Sequence, residues 1–435
     1  MPHSQAAGVS IAAATGMTPL KHFFESLLPR SLYRAILLPY HFLWAFLGAL
    51  YYGFPAKGLT VIGITGTKGK SSVAEMLFAI LAASGHKTAL AGTIRFAVGE
   101  NSEPNLYKMT VPGHAHLQKF LSKAVQKGAT HAVIELTSES TLQYRHLFLD
   151  LNALVFTNLQ KEHLESHGGM EKYFKAKFRL AKALLRSPKR PRIIVANVDD
   201  AYGGKFLAAP VESSVSFSYA DAKDAVFKDG SVSFMYKDTR FDIPHPGVFS
   251  VMNALAAIKT AEQFGIAPDI CARALSELVR IPGRAERIDA GQSFVAVVDY
   301  AHTPDSLKAL YDAYESRRKI CVLGNTGGGR DTWKRPLMGK MAEEACAEVI
   351  LTNEDPYDED PQKILEDMAA GMNHIPKIIL NRREAIHTAL SLAKDGDAVL
   401  ITGKGTDPYI MEAHGKKAPW SDATVVKEEL ERLVS

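Results

Sequence analysis

Cysteine is scarce: 435 residues hold three, at Cys271, Cys321 and Cys346. So few, so scattered, give no disulfide framework and no metal-ligand spacing, which fits a reducing cytoplasm. They read as small buried apolar side chains. Net charge is nearly absent as well, at +4. Basic residues form only short runs, such as Lys189-Arg190 with Arg192, so no nucleic-acid partner is implied. Low-complexity tracts and solenoid-period repeats are missing.

Ionic residues are missing altogether from Ala35 to Tyr52 (AILLPYHFLWAFLGALYY). The run is barely long enough to span a bilayer, and Pro39 and His41 oppose a span. It starts too late for a secretory signal and lacks a cleavage site. Arg30 and Arg34 precede it, and Trp44 and several tyrosines lie within it, as at membrane interfaces. Three readings stay open: a helix packed on the next domain, a monotopic helix on the cytoplasmic face of a membrane, or a span. The segment therefore leaves a peripheral membrane contact through residues 35–52 open. A cytoplasmic monomer is expected.

The most informative stretch present is Val61-Ile-Gly-Ile-Thr-Gly-Thr-Lys-Gly-Lys-Ser-Ser72. An apolar strand passes through a glycine-rich turn into a helix, so backbone N–H groups and the helix N-terminus face one anion site. Gly69, Lys70 and Ser71 stand as in a phosphate-binding loop, with Ser71 placed to ligate Mg2+. The spacing departs from the strict pattern, because Ile64 sits where its first glycine belongs. ATP or GTP binding follows.

Alternating strands (60–65, 87–92, 131–136, 153–157, 192–196) and helices (70–84, 114–127, 170–186) predict a doubly wound α/β domain. Residues 214–243 read as small antiparallel strands. Helices follow from Pro246-Gly247 and over 268–279. Ile281-Pro-Gly-Arg284 marks a boundary. A second series follows, with strands at 293–299, 319–323, 348–352, 377–380 and 398–402. The expected organisation is α/β: a short apolar helical segment (1–57), a P-loop doubly wound central domain (58–281) and a Rossmann-like α/β C-terminal domain (282–435).

Ligands of such sheets sit at the carboxyl ends of strands. Glu135 ends one and can hold Mg2+ beside the phosphates. His163 and His167 lie four apart, but Gly168-Gly169 argues for a loop there. Asp299 and His302 end a strand of the second series. A glycine triplet beside Arg330 ends the next, and the acidic Thr352-Asn-Glu-Asp-Pro-Tyr-Asp358 ends a third. An acidic loop facing a phosphate site suits a substrate carrying an amino group.

Six motifs, in order, carry a resemblance: TGTKGKSS, ELTS, FTNLQKEHLESHG followed by KAK, PGRAE, DYAHTPD and GKGTDPYI. Together, over roughly 59–425, they resemble the Mur ligase family of ATP-dependent amide-forming enzymes. The closest branch adds the third residue of the peptidoglycan stem peptide. The resemblance implies an acyl phosphate made from a UDP-muramoyl peptide and ATP, then displacement of phosphate by an amino acid. It implies two Mg2+ ions, the first on Ser71 and Glu135, the second served by His163 and an N-carbamylated Lys177. Lys70, His163 and Lys177 would be catalytic. Thr67, Lys68, Gly69, Lys70, Ser71, Ser72, Asn253, Arg284 and Asp299 would hold the nucleotide. Thr110, Thr137, Ser138, Gln143 and Arg145 would hold the muramoyl peptide. Arg330, Glu354, Asp355, Gly403 and Asp407 would hold the acceptor.

Departures refine this expectation. Glu354-Asp355-Pro356-Tyr357 stands where diaminopimelate-adding members have Asp-Asn-Pro-Arg, which disfavours meso-diaminopimelate and favours lysine or another diamino acid. The usual UDP-gripping N-terminal domain is expected to be missing, which leaves the carrier open. Two competing readings are a folylpolyglutamate-type ligase and an inactive, membrane-attached nucleotide-binding module.

Overall fold

The computed structural model describes residues 30–162, 167–329 and 331–434. An N-terminal helix, α1 (Arg30–Tyr51), precedes β1 (Thr60–Thr65), the phosphate-loop turn and α2 (Lys70–Ala83). Then come β2 (Thr88–Ala91), β3 (Arg95–Val98), β4 (Asn101–Pro104), α3 (His114–Gln126), β5 (His131–Glu135), α4 (Ser138–Leu142) and β6 (Ala153–Phe156). They are followed by α5 (Met170–Arg186), β7 (Ile193–Asn197), α6 (Gly203–Leu207) and β8 (Ser213–Phe217).

These strands form one eight-stranded sheet in the order β4-β3-β2-β5-β1-β6-β7-β8. Strands from β2 to β8 along it run parallel, while β3 and β4 add an antiparallel edge. The parallel strands are apolar without alternation because helices cover both faces. Val61 and Ile62 are neighbours in β1, yet Val61 packs with Leu117 and Leu121 of α3, and Ile62 with Leu77 and Leu81 of α2.

The expected antiparallel patch at 214–243 needs correcting at its start. β8 pairs parallel with β7, Val195 opposite Val215, and so closes the main sheet. Only β9 (Lys223–Lys228), β10 (Ser231–Tyr236) and β11 (Thr239–Ile243) form the small antiparallel sheet. Its apolar residues Val232, Phe234 and Phe241 join a core with α7 (Val248–Glu262) and α8 (Pro268–Glu277).

The rest of the chain builds a second sheet. Its elements are β12 (Glu286–Ile288), β13 (Val295–Asp299), α9 (Pro304–Asp312), β14 (Lys319–Leu323), α10 (Lys334–Ala345), β15 (Glu348–Leu351), α11 (Pro361–Ala369) and β16 (Lys377–Ile378). α12 (Arg382–Ser391), β17 (Ala398–Thr402), the hairpin of β18 (Tyr409–Met411) and β19 (Lys417–Pro419), and α13 (Asp422–Val434) complete it. The order is β12-β13-β17-β14-β15-β16, parallel except for β12. Apolar clusters fill both faces.

The cysteine reading is also corrected. Cys321 in β14 and Cys346, just before β15, form a disulfide with Cα atoms 6.1 Å apart. Their separation of 25 residues hid a contact made by adjacent strands. Cys271 is free and buried.

Helix α1 lies along the first domain. Its small residues Ala45, Gly48 and Ala49 are buried, and a Cβ on Gly48 would come 3.1 Å from the Ala115 Cα of α3. Among the described residues no helix is long and apolar enough to cross a membrane, which sets aside the spanning reading.

Candidate active site

The turn between β1 and α2 is shaped by close approach. A Cβ on Gly66 would lie 1.9 Å from Thr157 Oγ1, and one on Gly69 would lie 2.3 Å from Asn253 Oδ1. Gly69 also holds φ +81°, a left-handed conformation at the N-cap of α2. Neighbouring side chains hold the turn. Lys68 N donates to Asn158 Oδ1 at 2.8 Å, and Thr157 Oγ1 to the Lys68 carbonyl at 2.6 Å. Thr67 Oγ1 accepts from Gln160 N and lies 3.2 Å from the Tyr173 hydroxyl.

Two lysines converge on this turn. Lys70 Nζ donates to the carbonyls of Gly66 (3.0 Å) and Thr67 (2.9 Å). Lys177 Nζ, from α5, donates to the same Gly66 carbonyl at 2.7 Å. Lys177 is buried and Lys70 half-buried, and desolvation lowers both pKa values. For Lys177, burial and then the charge of Lys70 bring it down to about 7. Carbonyl dipoles are weak compensation for two cations withdrawn from water. A polyanion at the turn would supply the missing charge.

Ser71 and Glu135 form the other wall. Ser71 Oγ donates to Glu135 Oε2 at 3.0 Å, and Arg284 Nη2 donates to Ser71 Oγ at 3.2 Å across from the second sheet. Glu135 also accepts from Thr93 N (2.8 Å) and Thr93 Oγ1 (3.1 Å). Burial pushes its carboxyl pKa up, against the pull of Lys70. Thr93 Oγ1 lies 2.8 Å from Thr110 Oγ1. Thus Lys70, Ser71, Glu135, Lys177, Asn253, Arg284 and Thr110 come together, with the buried Ser72 in the first turn of α2.

The muramoyl-peptide candidates border this centre. Thr137 caps α4 by accepting from Ser140 N. Ser138 Oγ lies 3.0 Å from His167 Nε2. Gln143 is the C-cap of α4, and Arg145 Nη1 donates to the Val111 carbonyl, one residue past Thr110. Asp299 is committed to the backbone: its two oxygens accept from Ala285 N and Ala301 N, each at 2.6 Å. It therefore shapes the turn carrying Arg284. His163 and Arg330 lie outside the described residues.

At the acceptor corner, Glu354 Oε1 accepts from Thr326 Oγ1 at 2.8 Å, while its buried Oε2 has no hydrogen-bond partner among the described residues. That oxygen faces Gly403, where a Cβ would come within 2.4 Å of it at φ +105°. Asp355 accepts from Lys404 Nζ and Met411 N, both at 2.8 Å. Lys108, from the first domain, pairs with Asp355 and lies 3.4 Å from Asp407. Burial would lower its pKa, but Asp407 and Asp355 raise it overall.

Some groups here carried no distinct sequence signal. Thr93 and Lys108 belong to no motif that separates them from ordinary loop residues. Glu162 and His302 do sit in motifs. They meet across the two sheets at 2.8 Å, with Lys68 Nζ 3.1 Å from the same Glu162 oxygen. Among the described residues no group of three or more His, Cys, Asp or Glu is placed to hold a metal.

Two family models cover this architecture: the Mur ligase middle domain matches residues 64–261, and the Mur ligase glutamate ligase domain matches 283–405. The chain belongs to the Mur ligase family. It is an ATP-dependent, amide-forming ligase. A UDP-N-acetylmuramoyl-L-alanyl-D-glutamate–2,6-diaminopimelate ligase of Syntrophomonas wolfei is 36% identical over 384 residues, covering 84% of this chain and 77% of that protein. A UDP-N-acetylmuramyl-tripeptide synthetase of a Roseiflexus species is 34% identical, covering 89% and 81%. A solved 2,6-diaminopimelate ligase structure matches with TM-score 0.60 at 30% identity, over 87% of this chain and 79% of that one. The folylpolyglutamate synthase of Mycobacterium tuberculosis, solved with ADP and AMPPCP, shares the fold with TM-score 0.68 at 18% identity, over 86% and 96%.

Proposed function

We propose that this Mur ligase joins an amino acid to the peptide carboxylate of a UDP-N-acetylmuramoyl dipeptide in peptidoglycan precursor synthesis. One observation carries the reading. Lys70, Lys177, Ser71 and Glu135 converge on the phosphate turn, Thr110 reaches Glu135 through Thr93, and Lys108, two residues before Thr110, pairs with the acidic corner of the other sheet. A carboxylate oxygen of the precursor attacks the γ-phosphorus of ATP, and ADP leaves. The acceptor amine then attacks the acyl carbon, phosphate leaves, and the amine loses its proton. The residues supply charge and alignment rather than covalent chemistry.

Lys70 releases its carbonyls and takes up the β- and γ-phosphates. Thr67, Lys68, Gly69 and Ser72 frame the phosphates, and Asn253, Arg284 and Asp299 define the rest of the nucleotide pocket. Thr110, Thr137, Ser138, Gln143 and Arg145 orient the muramoyl peptide. Mg2+ would neutralise phosphate charge at two places. Ser71 and Glu135, a hydroxyl and a buried carboxylate 3.0 Å apart, suit the first as hard oxygen donors. His163 and a carbamylated Lys177 would hold the second. A lysine whose pKa is brought down to about 7 has a substantial neutral fraction near neutral pH, so its nitrogen can attack CO2 and lose a proton, giving an anionic oxygen donor.

The unpartnered Glu354 oxygen, with Asp355, Asp407, Gly403 and Arg330, would receive the acceptor. Its acidity favours lysine or another diamino acid with a second ammonium, and Tyr357 stands where an arginine would pair with a second carboxylate. The chain is proposed to act as a cytoplasmic monomer, divided at 57/58 and 281/282, with residues 35–52 touching the membrane peripherally. Phosphate release from ATP tests the reaction. Release requiring both a UDP-muramoyl dipeptide and a diamino acid supports the reading. Release requiring a folate and glutamate, or none with any pair, overturns it.

A further inference from the structure

Helix α1 exposes a broad aromatic and aliphatic face. Tyr40, Phe42, Leu43, Trp44, Leu47 and Leu50 are each 40–53% exposed. Among the described residues its buried side is made of Ala45, Gly48 and Ala49, so the large ones point outward. Single exposed apolar residues are ordinary, but a continuous set on one helix marks an interaction surface.

A second observation says what covers that face. Helix α5 carries Lys172, Lys175, Arg179, Lys182 and Arg186, spaced 3, 4, 3 and 4 residues apart, and all five are exposed. That spacing places them in one stripe along the helix. Only Lys175 has a described carboxylate within salt-bridge distance, Glu171 at 3.6 Å. In sequence the stripe is spread over 15 positions, 172 to 186, and escapes notice as a basic cluster. The two surfaces meet at Phe148. Its ring lies 6.0 Å from that of Phe42 and 5.8 Å from that of Phe46. Phe148 also lines a cavity of about 500 Å3 with Leu147, Arg179, Lys182 and Arg186, and with one acid, Asp150.

We propose that α1 and the α5 stripe together form a docking surface for a bilayer rich in anionic lipid. The inference deepens the peripheral contact of residues 35–52 by naming the headgroup charge and the residues that read it. The aromatic face inserts at the interface, where Trp and Tyr settle, and the five cations meet the headgroups. Each cation near an anionic surface contributes about 1 kcal/mol, or roughly fivefold in partitioning. Neither half suffices alone: an apolar face without charge would not select among lipids, and a stripe without α1 would bind any polyanion.

The full chain is sedimented with phosphatidylcholine vesicles, with and without phosphatidylglycerol. Binding is expected to need phosphatidylglycerol and to weaken as salt rises. Arg179→Glu/Lys182→Glu/Arg186→Glu should lower it by on the order of a hundredfold. Leu43→Ser/Trp44→Ser/Leu47→Ser should abolish it. Both variants should retain ATP turnover with a soluble precursor, which confirms that they fold. Binding that needs α1 but ignores lipid charge and the α5 reversal overturns the anionic-lipid inference while sparing the peripheral contact. Binding to neither vesicle, whether because residues 1–29 or a second copy cover α1, overturns both, and so does binding that the α1 variant leaves intact.

Discussion

Lys177 places a nitrogen inside the protein beside Lys70, against a single carbonyl. A permanently charged side chain would be costly there, and a solvated lysine would not be drawn to Gly66. Its chemistry is better suited to a modified nitrogen that donates oxygen to a metal. The Lys177→Ala enzyme is therefore expected to lose on the order of a hundredfold or more of its phosphate-release rate. Short carboxylates added to the assay should restore part of it. Full activity without rescue would remove the carbamate from the mechanism. Gly69 illustrates a different constraint. Alanine there must hold φ +81° and push its Cβ into Asn253 Oδ1. Gly69→Ala should cost about 1–2 kcal/mol in chemical unfolding and weaken ATP binding, since the turn and the nucleotide pocket are both displaced. Unchanged nucleotide affinity would mean that the turn tolerates a side chain.

Elements differ in how much of themselves they announce. β1, β5, β6 and β7 are continuous apolar runs ending in Thr65, Glu135, Phe156 and Asn197; all four strands were readable, as was the chemistry at the ends of the first three. β8 was not, because Ser213-Ser-Val-Ser-Phe217 alternates as an edge strand does. Alternation reports one exposed face and says nothing of the partner's direction. β3 and β4 escaped for a related reason: β4 is exposed along its whole length. Sequence alone does not set Lys177 apart from the other cations of α5, and only the family motifs single it out: α5 carries those cations on its outer face and this one on its inner face. The residues after α4 hold a further quantity invisible in sequence. His146 is buried, and burial brings its pKa down to about 4. In the unfolded chain it titrates near 6.5, so between those values the unfolded state binds the extra proton. Stability is unaffected above pH 6.5 and falls as the pH drops from there toward 4. At pH 5 the loss relative to pH 7 should be about 2 kcal/mol. Denaturant midpoints for wild type and His146→Gln should diverge at pH 7 and converge on acidification; parallel pH dependences would assign the acid sensitivity elsewhere.

At the scale of the whole molecule, the reaction needs a phosphate site on one sheet and an amine site on the other to act as one. Among the described residues, the bridges between the two domains at this site are Arg284 to Ser71, His302 to Glu162, and Lys108 to Asp355 and Asp407. The third has a double character. Lys108 places an ammonium among the acids where the acceptor's own ammonium is proposed to bind. Lys404 already neutralises part of that corner, being fully buried against Asp355, Asp407 and the Tyr409 carbonyl. With Lys108 in place, two cations face Asp355 and Asp407, and Glu354 keeps the unpartnered oxygen. Without it, Asp355 Oδ2 and Asp407 regain capacity for a cationic ligand. The Lys108→Met enzyme should therefore bind a diamino acid more tightly, its acceptor KM falling about fivefold, equivalent to removing a competitor worth about 1 kcal/mol. KM for ATP should stay put, because Lys108 does not touch the phosphate turn. Steady-state kinetics with lysine as the varied substrate separates the cases. A lower acceptor KM identifies Lys108 as a stand-in for the substrate's ammonium. A higher one would make it part of the grip that draws the two sheets together, and the acidic corner would then need another route for its charge.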